Sequence, residues 1–183
     1  MKKIILLLVS ILLVVSLTGC GEKKDVTSEV ASVEESVEEK NPLEGQIVKE
    51  FKAKDLEGNE VTNDIFSENN MTVVNIWGTF CGPCVEEMPE LDKLQKELKD
   101  KKVKVVGIVS DKAVEEAKNI TKEISYTNII PDEVLENQIV NRFDYVPVTL
   151  FVNNKGEIMK KFIPGGSDYE TFKKIIEELL EKK

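Results

Sequence analysis

Hydrophobic and polar positions divide the chain into three parts. An apolar run covers residues 4–17, broken only by Ser10 and Ser16 and preceded by Lys2 and Lys3. From 21 to 45 the apolar positions thin to lone valines among acidic and hydroxyl side chains. Val26, Val30, Val33 and Val37 have helical spacing. A stripe of single valines buries too little to offset the entropy of ordering a chain, so this stretch reads as a disordered acidic tether.

From residue 46 onward the patterns are those of a folded domain. Residues 47–61 predict two strands joined by a turn at 55–59. Residues 64–67 predict one helical turn capped by Thr62 or Asn63. Met71–Trp77 predicts a buried strand. From 82 to about 98, Val85, Met88, Leu91, Leu94 and Leu98 share one face of a helix. Residues 103–110 form an apolar strand of the kind found in a sheet covered on both sides. Helices follow at 111–123 and 132–143, the second capped by Asp132, around a short strand at 126–130. A strand at 148–152 turns through "NNKG" into "EIMKKF". Ser167 or Asp168 caps a last helix, with Phe172, Ile175, Ile176, Leu179 and Leu180 inward. Strands alternate with helices, which predicts an α/β sheet with helices on both faces.

The first apolar run is short for a membrane span and suits the core of a secretory signal. It ends in "LTGC", which resembles a bacterial lipobox. That resemblance implies cleavage before Cys20 and lipidation of Cys20, the alternative being an uncleaved membrane anchor. The expected organisation is a lipoprotein signal peptide at 1–19, a lipidated cysteine and tether at 20–45, and a folded domain at 46–183. The expected location is extracytoplasmic, lipid-anchored to the cell membrane, with the tether giving the domain reach.

Charge and composition exclude whole classes of function. Lys and Arg number 25 against 34 Asp and Glu, a formal charge of −9. That argues against a nucleic-acid partner. Arg142 is the single arginine, so bidentate phosphate clamps are nearly excluded. The sequence contains no histidine. Ser-His and Cys-His pairs are therefore impossible, as is any zinc site that uses imidazole.

Setting Cys20 aside leaves Cys81 and Cys84, separated by Gly82 and Pro83. A structural zinc site needs four ligands, so no metal is expected. A haem hook needs a histidine after the second cysteine, where Val85 stands. An inert staple remains open, although a bridge closing so short a loop removes little unfolded-state entropy. A redox pair has a mechanism. With a helix starting at Gly82 or Pro83, Cys81 stands at its N-terminus, where free N–H groups and the helix dipole favour a thiolate. Pro83 suits the first turn, where no N–H is needed. Cys84 lies one turn inward and suits the second attack. Glu87, three residues after Cys84, is a candidate proton shuttle; the plainer reading of Glu87 and Glu86 is solvated helix charge. A redox-active Cys81–Cys84 disulfide would require no further cofactor.

These motifs resemble the thioredoxin superfamily. "WGTFCGPC" after an apolar strand resembles its active site, Pro89 its kinked helix, and "YVPVTLF" its cis-proline segment. Asn75 stands where cytoplasmic thioredoxins carry a buried aspartate. "EEMPEL" resembles the membrane-anchored TlpA- and ResA-like branch, in which the glutamate two residues before the proline, here Glu87, is functionally important. The resemblance implies a thioredoxin fold, a central mixed sheet flanked by helices, with an N-terminal β-hairpin and a strand–helix insertion within 111–131. It places Pro147 opposite the cysteines and leaves the backbone of Val146 open beside Cys81, where an extended partner segment can pair. Phe80, Gly82 and Pro83 complete the implied substrate-binding rim. Phe80 departs from the family's usual tryptophan but keeps an apolar surface. Trp77 suits either the core or the active-site loop, and Gly165 and Gly166 either a loop near Pro147 or a plain turn.

The activity implied is thiol–disulfide oxidoreduction, directed toward reduction because the Gly-Pro pair resembles reducing thioredoxins. The implied electron donor is a membrane thiol carrier of the CcdA/DsbD-like type. The implied clients are disulfides of exported proteins, such as apocytochrome c or methionine sulfoxide reductase. Two alternatives stand beside it. An exported thiol oxidant would differ in its redox potential. A redox-inactive binding module with the same fold would exchange with neither insulin nor glutathione.

Overall fold

The computed structural model describes residues 39–181. The leader, Cys20 and the tether as far as residue 38 lie outside the described residues. Among the described residues, no helix is long and apolar enough to cross a membrane.

The strands are β1 (Ala53–Asp55), β2 (Glu60–Val61), β3 (Met71–Trp77), β4 (Val103–Val109), β5 (Thr127–Ile130), β6 (Val148–Asn153) and β7 (Ile158–Pro164). They form one sheet in the order β2-β1-β5-β4-β3-β6-β7. The helices are α1 (Asp64–Ser67), α2 (Gly82–Glu97), α3 (Val114–Ile120), α4 (Glu133–Gln138) and α5 (Tyr169–Glu181). β3 runs parallel to β4 and antiparallel to β6. Both faces of these central strands are covered, which is why they read as apolar runs without alternation. Met71, Val73 and Trp77 face Met88 and Leu91 of α2 and Phe172 and Ile176 of α5. Val74 and Ile76 face the opposite layer, with Phe66 of α1 and Leu135 of α4.

The crossover through α3 brings β5 parallel to β4, the expected insertion, and β5 in turn holds the β1–β2 hairpin. Asp132 caps α4 by accepting from the Leu135 N–H, and Asp168 accepts from the Thr171 N–H at the start of α5. Several details differ from expectation. Asn63 makes no cap; its side chain accepts from the Phe51 N–H and donates to the Val48 and Lys49 carbonyls. The helix expected at 111–123 occupies only Val114–Ile120, and a short 3-10 turn follows α4 at Val140–Arg142. Val85 is exposed rather than inward, because Cys84, Met88 and Leu91 define the buried stripe of α2. Residues 39–45, expected in the tether, include the buried Asn41 and Leu43 and belong to the folded body.

Candidate active site

β3 delivers the chain to a short loop whose end, Cys81, is the N-cap of α2. Cys81 is extended, with φ −99° and ψ 102°, and its sulfur accepts from the Cys84 N–H at 3.3 Å. Pro83 sits in the first turn and Pro89 within the helix. A disulfide joins Cys81 to Cys84. The two sulfurs are unequal: Cys84 is completely buried, while Cys81 keeps 8% of its surface open. The helix N-terminus therefore offers its partial positive charge to the cysteine that solvent can reach.

The Val146–Pro147 peptide is cis, and the Val146 carbonyl oxygen lies 3.7 Å from Cys81 Sγ. The Pro147 carbonyl accepts from the Gly165 N–H at 2.9 Å. Gly165 has φ +87°, a backbone that glycine adopts without strain. A Cβ on Gly166 would stand 3.6 Å from Pro83 Cβ, so this loop borders the cysteine turn. On one side of the disulfide, Phe80, Val140, Phe143, Tyr145 and Val146 line an open groove of about 520 Å³. Phe80 is three-quarters exposed. On the other side lies a second groove, of about 680 Å³, bordered by Pro83, Gly166, Glu86, Glu90 and Asp168.

Glu87 reaches the inner wall of that second groove and is 3% exposed. Its Oε1 accepts from Asn75 Nδ2 at 2.7 Å, and its Oε2 accepts from the Ser167 N–H at 3.0 Å. Burial pushes its carboxyl up to about 7, against the opposing pull of those two hydrogen bonds. Asn75 Nδ2 also donates to Thr149 Oγ1 at 3.0 Å.

The structure thus brings Cys81, Cys84, Gly82, Pro83, Phe80, Val146 and Pro147 together around the disulfide, with Cys84 and Pro147 buried beneath its open side and Glu87 buried one turn behind Cys84. Trp77 is a core residue, donating through Nε1 to Asn128 Oδ1 at 2.9 Å. Sequence reasoning missed Val140, Phe143 and Tyr145 as groove walls, and Thr149 and Ser167 as part of the Glu87 environment. A signal existed for Thr149: it is a polar residue set between apolar neighbours in its strand, as Asn75 is in β3. No comparable signal marks the groove residues, which lie on a connection between elements.

Comparison with known proteins agrees with this geometry. The AhpC/TSA family profile matches residues 45–168. The thiol-disulfide oxidoreductase ResA of Bacillus cereus (strain ATCC 10987 / NRS 248) is 28% identical over 150 residues, spanning 80% of this chain and 82% of that protein. The thioredoxin-like protein YneN of Bacillus subtilis (strain 168) is 32% identical over 120 residues, spanning 63% of this chain and 68% of that protein. Among solved structures, a thioredoxin-family thiol:disulfide interchange protein from Chlorobium tepidum TLS superposes with a TM-score of 0.65 at 20% identity, over 74% of this chain and 97% of that one. StoA from Bacillus subtilis superposes with a TM-score of 0.56 at 22% identity, over 70% and 96%. These two likenesses concern the fold. The chain belongs to the AhpC/TSA family and is a thioredoxin-fold thiol-disulfide oxidoreductase similar to ResA.

Proposed function

We propose that this protein is an extracytoplasmic, lipid-anchored reductase that transfers electrons from the Cys81–Cys84 dithiol to disulfides of exported proteins. The observation that carries the reading is the inequality of the two sulfurs: Cys81 reachable at the head of α2, Cys84 sealed one turn below. In the reduced protein the Cys81 thiolate attacks one sulfur of a client disulfide. The client S–S bond breaks, its second sulfur leaves and takes up a proton, and a mixed disulfide forms. Cys84 gives its proton to the Glu87 carboxylate and attacks Cys81 Sγ. The mixed bond breaks, the client leaves as a dithiol reduced by two electrons, and Cys81–Cys84 is oxidised. Glu87 suits this transfer because burial brings its titration near neutrality.

Val146, Pro147, Phe80, Gly82 and Pro83 receive the client as an extended segment beside Cys81. The relatives named ResA support the oxidoreductase chemistry. The leader and "LTGC" support lipidation at Cys20 and an anchored location. Within this reading, a membrane thiol carrier of the CcdA/DsbD-like type returns the electrons, and apocytochrome c or methionine sulfoxide reductase are clients to test first. The decisive experiment is capture with Cys84→Ser in cells, which lacks the sulfur that resolves the mixed disulfide. It should accumulate client adducts that dithiothreitol releases, and Cys81→Ala should accumulate none. Equal capture by both variants would overturn the assignment.

A further inference from the structure

Asn75 is fully buried in the middle of β3, and the two ends of its amide are used unequally. Nδ2 donates twice, to Glu87 Oε1 at 2.7 Å and to Thr149 Oγ1 at 3.0 Å. Oδ1 is buried with no partner among the described residues. An orphaned buried carbonyl oxygen is costly and uncommon, so something must hold the amide in this orientation. Two acceptors on one side do so. Turning the amide over would set Oδ1 against an ionised carboxylate, acceptor against acceptor.

We infer that Asn75, oriented by Thr149, is the positioning residue for Glu87: it fixes the direction of the carboxyl and keeps its ionised form accessible inside the protein. This rests on the reading of Glu87 as the proton acceptor for Cys84. The surroundings of Glu87 otherwise oppose a negative charge. Cys84 stands one turn away on α2, and Glu86, Glu90 and Asp168 border the groove that Glu87 adjoins, with no Lys or Arg among its walls. Across the layer, burial first and then the charges of Glu87 and Asp92 hold the Tyr126 phenol protonated. Among the described residues, the Asn75 amide and the Ser167 N–H are the donors that offset this environment. A neutral donor is what the position requires. A second carboxylate there would compete for the same proton, and an apolar side chain would leave Oε1 unpaired.

The test is a titration of the oxidised full-length chain in non-ionic detergent, in which the two paired cysteines do not titrate. The Glu87 side-chain carboxyl is followed by 13C NMR and assigned by its loss in Glu87→Gln. Asn75→Leu should raise the Glu87 midpoint by about one pH unit, since a donor favours the charged form more than the neutral one. Thr149→Val should move it in the same direction by less, and Thr149→Ser should restore the parent value. A midpoint unmoved in Asn75→Leu overturns the inference. If that variant does not fold, Thr149→Val and Thr149→Ser decide: equal midpoints in both overturn it, and a shift in Val rescued by Ser supports it. The pH profile of thiol exchange in Glu87→Gln separates the two levels. A profile matching the parent removes the proton-transfer role of Glu87, while the carboxyl midpoints still decide whether Asn75 positions it.

Discussion

Glu87 titrates far from the range of a helix-surface glutamate, and the direction of its shift makes it a stability term. Its carboxyl lies at about 7 in the folded protein against an ordinary 4.5. Below 4.5 both folded and unfolded chains hold the proton, and the group is neutral to stability. Between 4.5 and about 7 the unfolded chain releases it while the folded chain keeps it, so stability falls as pH rises. Above that window the full cost of the buried charge is present, on the order of 3 kcal/mol. Glu87→Gln cannot ionise and should lack this loss. Guanidinium unfolding of the two oxidised proteins at pH 4 and pH 8 measures it. The difference between parent and variant should shrink or reverse in the variant's favour at the higher pH. Asp55, Asp92 and Asp168, whose carboxyls lie below their ordinary range, are common to both proteins and cancel. A pH-independent difference would mean that water reaches Glu87 freely. Much at this scale was legible in advance: the two cysteines, Gly82 and Pro83 stand out by type and spacing, and the Val146–Pro147 pair by its resemblance to a cis-proline segment. The inward turn of Glu87 was not. Residues 86 and 87 are both glutamates, and the burial of the second rests on contacts with Asn75 and Ser167 from other parts of the chain.

Elements read well from their periodicity where both faces are covered, and less well at the end of α2 that carries the cysteines. Val85 fits an apolar stripe with Met88, yet it stands one residue, about 100° of helix rotation, from the buried Cys84. That rotation turns Val85 away from the core and leaves its apolar side chain facing solvent. β4 shows the complementary limit. Its apolar run is plain, and Gly107 within it signals a close approach. What approaches depends on register across three strands: Gly107 pairs with Asn75 of β3 on one side and Asn128 of β5 on the other. A Cβ on Gly107 would fall 2.0 Å from Asn128 Oδ1 and 2.9 Å from Trp77 Nε1, the two ends of a buried hydrogen bond that crosses β4 there. Gly107→Ala must break that bond or shift the strands apart. It should cost about 2–4 kcal/mol, with a red shift in the emission of Trp77, the single tryptophan. Thermal unfolding and fluorescence check it together. An unchanged melting temperature would show that Asn128 can turn aside without loss.

For the molecule as a whole, the point where the domain begins follows from how the edge of the sheet is closed. β7 is an edge strand, and an open edge is a site for unwanted pairing. Residues 41–48 cover it. The Gly45 N–H donates to the Ile158 carbonyl, the Ile158 N–H to the Gln46 carbonyl, and the Val48 N–H to the Gly156 carbonyl. Asn41 Nδ2 donates to the Met159 carbonyl at 2.8 Å, and its Oδ1 accepts from the Leu43 N–H. Leu43 is completely buried in the layer that also holds Ile158 and Phe162. Composition alone assigns this stretch to the tether, since one leucine between acids and a proline has no period to read. Its burial depends on a strand more than a hundred residues away. The covering segment also leads to the cysteine side of the domain: Tyr145, on the groove beside Cys81, donates to Glu39 at 3.1 Å. Leu43→Ala should therefore destabilise the whole domain by about 2–4 kcal/mol, as deletion of a buried leucine does in a core that cannot collapse around the gap. Ile47→Ala is the control from the same segment. Ile47 is 55% exposed, and its truncation should cost less than about 0.5 kcal/mol. Urea unfolding of the two oxidised variants beside the parent measures both. If Leu43→Ala proves as mild as Ile47→Ala, residues 41–48 only rest on the edge of β7, and the folded domain begins where composition first placed it, near residue 46.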